Sequence, residues 1–201
     1  APSIEDIDAT PTGYLTTVLD NQGNQTATLV ASGSNRKYVT IDEIPINLQH
    51  AFVAIEDERF YDHNGIDLQG ILRAGLKGVA SGFHFSEGAS TITQQLLKNT
   101  VFTQWTSEQS MADKFERKFQ EQYLALQLEK VVDKDWILEN YLNAINLGQN
   151  TLGVGVASER YFGKDVSELT LSECAVLAAI TQSPSYYNPI THPDHNKERR
   201  Q

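Results

Sequence analysis

Between Pro45 and Pro184 apolar residues recur at helical spacing, and only the first forty residues lack that period. This change of rhythm decides most of the fold. Leu48, Ala51, Phe52 and Ile55 stand at i, i+3, i+4 and i+7, one buried helix face, and Pro45 suits a first turn. A second helix is predicted with Leu68, Ile71, Leu72, Leu76 and Val79 on one face. Ser81 to Gly88 follows as a flexible, aromatic-bearing loop, and Ser90 is a candidate N-cap for a helix through Asn99. Asp113 to Lys130 reads as a long helix with Phe115, Phe119, Leu124 and Leu128 inward. Asp133 is placed to cap the next, burying Ile137, Leu138, Tyr141, Leu142 and Ile145. Thr170 and Glu173 form a capping-box pair opening a final apolar helix, which Pro184 and Pro189 end.

Ahead of Pro45 the signals are those of strands. Tyr14 to Asp20 is rich in Thr, Val and Leu, Asn21-Gln22-Gly23-Asn24 is turn chemistry, and Gln25 to Ala31 alternates weakly. A hairpin is expected, then a break at Ser32 to Asn35 and a short Tyr38-Val39-Thr40 strand. The fold class is therefore mainly α with a short N-terminal β element. A length of 201 residues, 40% hydrophobic and 21% charged, suits one folded domain. The formal net charge of −10 excludes a nucleic-acid partner, so any anionic substrate must meet a local cluster of Lys and Arg. Cys174, the single cysteine, rules out an internal disulfide and reads as a buried, inert thiol. No run approaches the ~18–20 apolar residues of a membrane-spanning helix, no signal peptide is visible, and both ends read as cuts in something longer.

Three stretches could carry chemistry. In Ile55-Glu56-Asp57-Glu58-Arg59-Phe60-Tyr61-Asp62-His63-Asn64-Gly65, three acids arrive where an apolar helix face runs out. A carboxylate half-shielded by Phe52 and Phe60 would suit general-base work, while a solvated helix end is the plainer alternative. Gly88 to Asn99 is a Gly-flanked turn into a helix rich in hydroxyls and amides, with Gln94, Gln95 and Lys98 within one turn. Such a terminus aims donors at a phosphate or sugar, or is simply an exposed polar helix with an ordinary cap. Arg117 and Lys118 reach Glu121 at i+4 and i+3. That spacing gives either a surface salt-bridge ladder or a carboxylate poised among cations for a pyrophosphate or its metal. His192-Pro-Asp-His195 has loose metal-like spacing in a Pro-rich tail, and His63 reads as a structural hydrogen-bonder.

Taken together and in order, these blocks resemble the glycosyltransferase domain of bifunctional penicillin-binding proteins and the monofunctional transglycosylases, glycosyltransferase family 51. The resemblance rests on Glu56-Asp57…Phe60…His63…Gly65, on Gly88…Ser90-Thr91-Ile92-Thr93-Gln94-Gln95…Lys98-Asn99, and on Arg117-Lys118…Glu121. Ile137-Leu138…Tyr141-Leu142-Asn143…Gly148, Tyr161-Phe162-Gly163-Lys164, Leu171-Ser172-Glu173 through Pro184, and Tyr187-Asn188-Pro189 continue it. Ala89 stands where the family usually has a second Gly, a small departure.

The resemblance implies a lysozyme-like helical head lobe with a smaller membrane-facing jaw lobe. Residues 1–44 would be the β element and 45–201 the glycosyltransferase domain. It implies polymerisation of lipid II with inversion and release of undecaprenyl pyrophosphate, Glu56 as general base and Glu121 on the donor side. Asp57, Phe60, Arg73, Ser90, Thr91, Gln94, Gln95, Lys98, Asn99, Arg117 and Lys118 would bind substrate. A divalent metal (Mg2+ or Mn2+) held through Glu121 is implied by the family alone. The implied partners are lipid II, the growing glycan strand, the membrane surface, and a transpeptidase domain or other cell-wall synthesis machinery. The implied place is the extracytoplasmic face of the bacterial membrane, with Phe102 and Trp105 at headgroup level. A lysozyme-like hydrolase or lytic transglycosylase, and a non-catalytic precursor-binding module, are the alternatives.

Overall fold

The computed structural model describes residues 7–14, 16–29, 36–80, 89–102 and 111–201. The expected hairpin is present as β1 (Thr16–Leu19) and β2 (Gln25–Leu29), antiparallel. Asp20 makes the turn between them by accepting hydrogen bonds from the backbone N–H groups of Gln22 and Asn24, at 2.8 and 2.9 Å. Tyr38 to Thr40 is not a strand. The side-chain amide of Asn143 replaces the ladder there, accepting from the Val39 N–H at 3.0 Å and donating to its carbonyl at 2.8 Å.

The described remainder is helical: α1 (Ile46–Glu56), α2 (Leu68–Ala80), α3 (Ile92–Thr100), α4 (Met111–Leu128) and α5 (Lys134–Ala144). They are followed by α6 (Val154–Phe162), α7 (Leu171–Ala179) and α8 (Pro193–Arg199). Helix α3 is the centre of the packing. It lies against α4 and α5, while α1 packs on α7. Leu48, Phe52, Ile92, Leu96, Leu124, Leu138, Tyr141 and Leu177 bury completely in one core. Asp133 caps α5 through the Trp136 N–H at 2.8 Å, and Thr170 with Glu173 forms the expected capping box on α7.

Several expectations are corrected. The cap of α3 is Thr91, not Ser90. Leu124 and Leu128 are inward, but Phe115 and Phe119 are exposed. The reason is angular: at 100° per residue Glu121, Leu124, Ala125 and Leu128 share one face, and Phe115, Phe119, Tyr123 and Leu126 share the opposite one. On α2, Leu68, Leu72 and Leu76 also face outward. The Pro-rich tail is helical from Pro193 onward. Helix α8 has no apolar face; buried Asn196 anchors it by donating to the carbonyls of Val176 and Tyr187, at 3.1 and 2.9 Å. The loop from Ser81 to Gly88 lies outside the described residues. No described helix is long and apolar enough to cross a membrane.

Candidate active site

Glu56 is the last residue of α1, and there the chain must turn. Asp57 makes that turn: its N–H donates to the Val53 carbonyl, and its carboxylate accepts from the Ile92 N–H at 2.9 Å and from His63 Nε2 at 2.9 Å. His63 Nδ1 accepts from the Gly65 N–H at 3.1 Å, which puts the ring proton on Nε2. The end of α1 is thus tied to the start of α3.

The side chain of Glu56 is only 12% exposed and is held by polar partners. Gln95 Nε2 donates to Oε2 at 3.0 Å, the Thr181 hydroxyl donates to Oε1, and the Arg199 guanidinium stands 3.4 Å from Oε1. Tyr141 OH reaches Gln95 Oε1 at 3.5 Å, so the Gln95 amide presents its nitrogen to Glu56. Burial pushes the Tyr141 hydroxyl well above its usual range, and the nearby charges of Glu56 and Asp57 push further the same way. Tyr141 therefore stays a neutral donor.

Glu121, 2% exposed on α4, accepts from Arg117 and from Lys118 Nζ, the latter at 3.1 Å. Such burial does not describe a surface ladder. Lys118 also donates to Ser90 Oγ at 2.7 Å.

These two carboxylates face one cleft of about 490 Å³. Of the residues predicted from sequence it gathers Glu56, Ser90, Gln94 and Gln95 with Lys98, Asn99, Arg117, Lys118 and Glu121. Three cations and two carboxylates line it, although the chain as a whole is strongly acidic. Gln94 uses its Oε1 in the α3 capping box, accepting from the Thr91 N–H at 3.0 Å, while its buried Nε2 has no partner among the described residues. A ligand or an ordered water in the cleft can satisfy it.

Four predicted binding residues are not in this cleft. Asp57 is committed to His63 and Ile92, as above. Phe60 is completely buried beneath Lys134, whose Nζ sits 4.5 Å from the ring centroid. Thr91 caps α3 and donates to the Gly65 carbonyl at 2.8 Å. These three build the scaffold. Arg73 pairs with Glu58 at 2.9 Å and lines a smaller recess that shares Glu56 and Ser90 with the cleft. Phe102 is 6% exposed and packs in the core, so it is not a headgroup anchor, and Trp105 lies outside the described residues. Two contacts of Glu56 escaped the sequence reading, Thr181 and Arg199. No local pattern marks them, because they meet Glu56 only across more than a hundred residues.

The residues present do not fit a divalent metal. Both oxygens of Glu121 are engaged by cations, and no group of three or more His, Cys, Asp or Glu gathers among the described residues. A hard dication needs several oxygen ligands and would stand beside two fixed positive charges.

The model of the Transglycosylase family matches residues 22–201. The chain belongs to the transglycosylase family. This transglycosylase chain is 47% identical over 182 residues to penicillin-binding protein 1A of Clostridium perfringens, covering 89% of this chain and 25% of that protein. It is 46% identical to penicillin-binding protein 1F of Bacillus subtilis, over 91% of this chain and 24% of the relative. With penicillin-binding protein 1A of Escherichia coli it shares 46% identity, over 81% and 18%. The transglycosylase chain thus spans a quarter or less of the length of these relatives.

Proposed function

We propose that this transglycosylase polymerises lipid II, with Glu56 as general base and the Lys98, Arg117, Lys118 and Glu121 group as the seat of the leaving pyrophosphate. The observation that carries the reading is that Glu56 of α1 and Glu121 of α4 line one cleft, where two cations of that cleft grip Glu121 and a single arginine from α8 stands beside Glu56. Departure of a pyrophosphate calls for charge neutralisation rather than protonation, so the cations belong on the donor side. Attack by a sugar hydroxyl calls for a base, which belongs apart from that donor-side cluster.

In the proposed step the acceptor's 4-hydroxyl gives its proton to the Glu56 carboxylate. Its oxygen forms a bond to the anomeric carbon of the donor from the face opposite the pyrophosphate. The anomeric carbon–oxygen bond breaks, and the electron pair leaves with the lipid pyrophosphate, whose charge Lys98, Arg117 and Lys118 neutralise. Glu121 holds Arg117 and Lys118 in place for it. The unpartnered Gln94 Nε2 and the Ser90 hydroxyl supply donors to sugar or phosphate oxygens.

A lipid-linked substrate puts the proposed reaction at a membrane surface. Two exposed apolar rows suit contact with that surface: Leu68, Leu72 and Leu76 on α2, and Phe115, Phe119 and Tyr123 on α4. Leu68 and Leu126, one from each helix, line one apolar recess. A lytic enzyme of similar shape would have no use for the cation cluster. Incubating the protein with lipid II and, separately, with purified sacculi separates the two chemistries. Polymer from lipid II is expected; soluble muropeptides from sacculi with no polymer would reverse the reading.

A further inference from the structure

We propose that Arg199 of α8 is a positioning residue for the base, holding the Glu56 carboxylate as an aimed anion in the cleft. The inference rests on the reading of Glu56 as base and adds a partner to it from the far end of the chain. Arg199 Nη2 lies 3.4 Å from Glu56 Oε1, and the two side chains are 17% and 12% exposed, so water screens the pair weakly. The guanidinium is itself held. Nη1 donates to Gln182 Oε1 at 2.6 Å, and the group lies over the Tyr187 ring, 5.1 Å from its centroid. Its buried Nε has no hydrogen-bond partner among the described residues.

The other groups around Glu56 bring it hydrogen bonds but no second cation. It ends α1, where the helix dipole is negative, and Asp57 and Glu58 follow it directly. From α3 it meets the neutral Gln95 amide, from α5 the neutral Tyr141, and from the end of α7 the Thr181 hydroxyl. The nearby cations have carboxylates of their own. Arg59 is paired with Asp67 and Arg73 with Glu58, while Arg117 and Lys118 across the cleft hold Glu121. Lys98 lines the cleft from the exposed side of α3. Among the described residues, Arg199 is the cation at ion-pair distance from Glu56. Without it the carboxylate's rotamer would loosen, a loss in the chemical step rather than in substrate binding.

The test is the rate of lipid II polymerisation by the full-length protein across pH 5–9, for wild type, R199Q, R199K and E56Q. R199Q is expected to lose about tenfold in kcat with KM within about twofold. R199K, which keeps the charge in place, should keep most of the wild-type kcat. An unaltered kcat in folded R199Q, or a loss expressed wholly in KM, overturns the proposal. If R199Q does not fold, R199K decides it: a change there in KM alone also overturns it. E56Q separates the two readings. Full activity in E56Q removes the base itself, whereas inactive E56Q beside an unaltered R199Q removes only the role of Arg199.

Discussion

Gln95 donates from Nε2 to Oε2 of Glu56 at 3.0 Å, so a residue of α3 sets the direction of a carboxylate at the end of α1. Since Tyr141 fixes which end of that amide faces Glu56, the orientation passes from α5 through α3 to the base. Replacing Gln95 by Ala should leave the fold intact and reduce turnover by about ten- to a hundredfold, the usual result of misplacing a reacting group by about an ångström. Steady-state rates with lipid II, alongside thermal melting, check this. A Q95A enzyme as fast as wild type would mean that Glu56 needs no such guide.

Asp57 joins α1 to α3 through two hydrogen bonds made in near-complete burial. Asp57→Ala leaves His63 and the Ile92 N–H without their acceptor. A loss of about 3 kcal/mol is expected. For a domain of this size that lowers Tm by roughly 6–12 °C, measurable by differential scanning calorimetry. A change within about 2 °C would place Asp57 outside the scaffold.

Glu173 provides a pH test away from the cleft. The Thr170 N–H and then Lys164 hold its carboxyl down to about 2, from an ordinary 4.5. A depressed acid stabilises the folded state while it is ionised. Its contribution is complete above about pH 4.5 and is lost as pH falls toward 2. The Tm of wild type should therefore fall across that window more steeply than that of Glu173→Gln. Parallel curves would show that the capping box does not depend on the charge.

The apolar rows on α2 and α4 predict membrane contact. Changing Leu72, Leu76 and Phe119 together to Ser should weaken sedimentation with anionic liposomes by about tenfold or more, as each removes a large exposed apolar side chain. Retained liposome binding would assign the rows to another partner.

Much of this was legible in the sequence, for identifiable reasons. Helices α1, α3, α5 and α7 show themselves because each buries large apolar residues at helical spacing, and Asp133, Thr170 and Glu173 are capping residues whose chemistry is local. Helix α6 begins after Gly153 at φ 85° and contains Gly155 and Ala157, small residues that leave little apolar rhythm. Helix α8 has no apolar residue, so its anchor at Asn196 and its reach to Glu56 cannot be read from periodicity. In the site, Glu56, Lys98, Arg117, Lys118 and Glu121 stand in recognisable blocks and converge on the cleft. Asp57, Phe60 and Thr91 belong to the same blocks but serve the scaffold, a distinction that depends on which way each side chain points and not on its place in a motif.

The central claim is that Glu56 takes the proton from the attacking hydroxyl. Its most direct test is a gel of glycan products from lipid II made by wild type and by Glu56→Gln, with binding of lipid II measured on the same samples. The account predicts a rate lower by about 10²–10⁴-fold and nearly unaltered binding, the usual share of a general base. A Glu56→Gln protein that polymerises at more than about a tenth of the wild-type rate would contradict it.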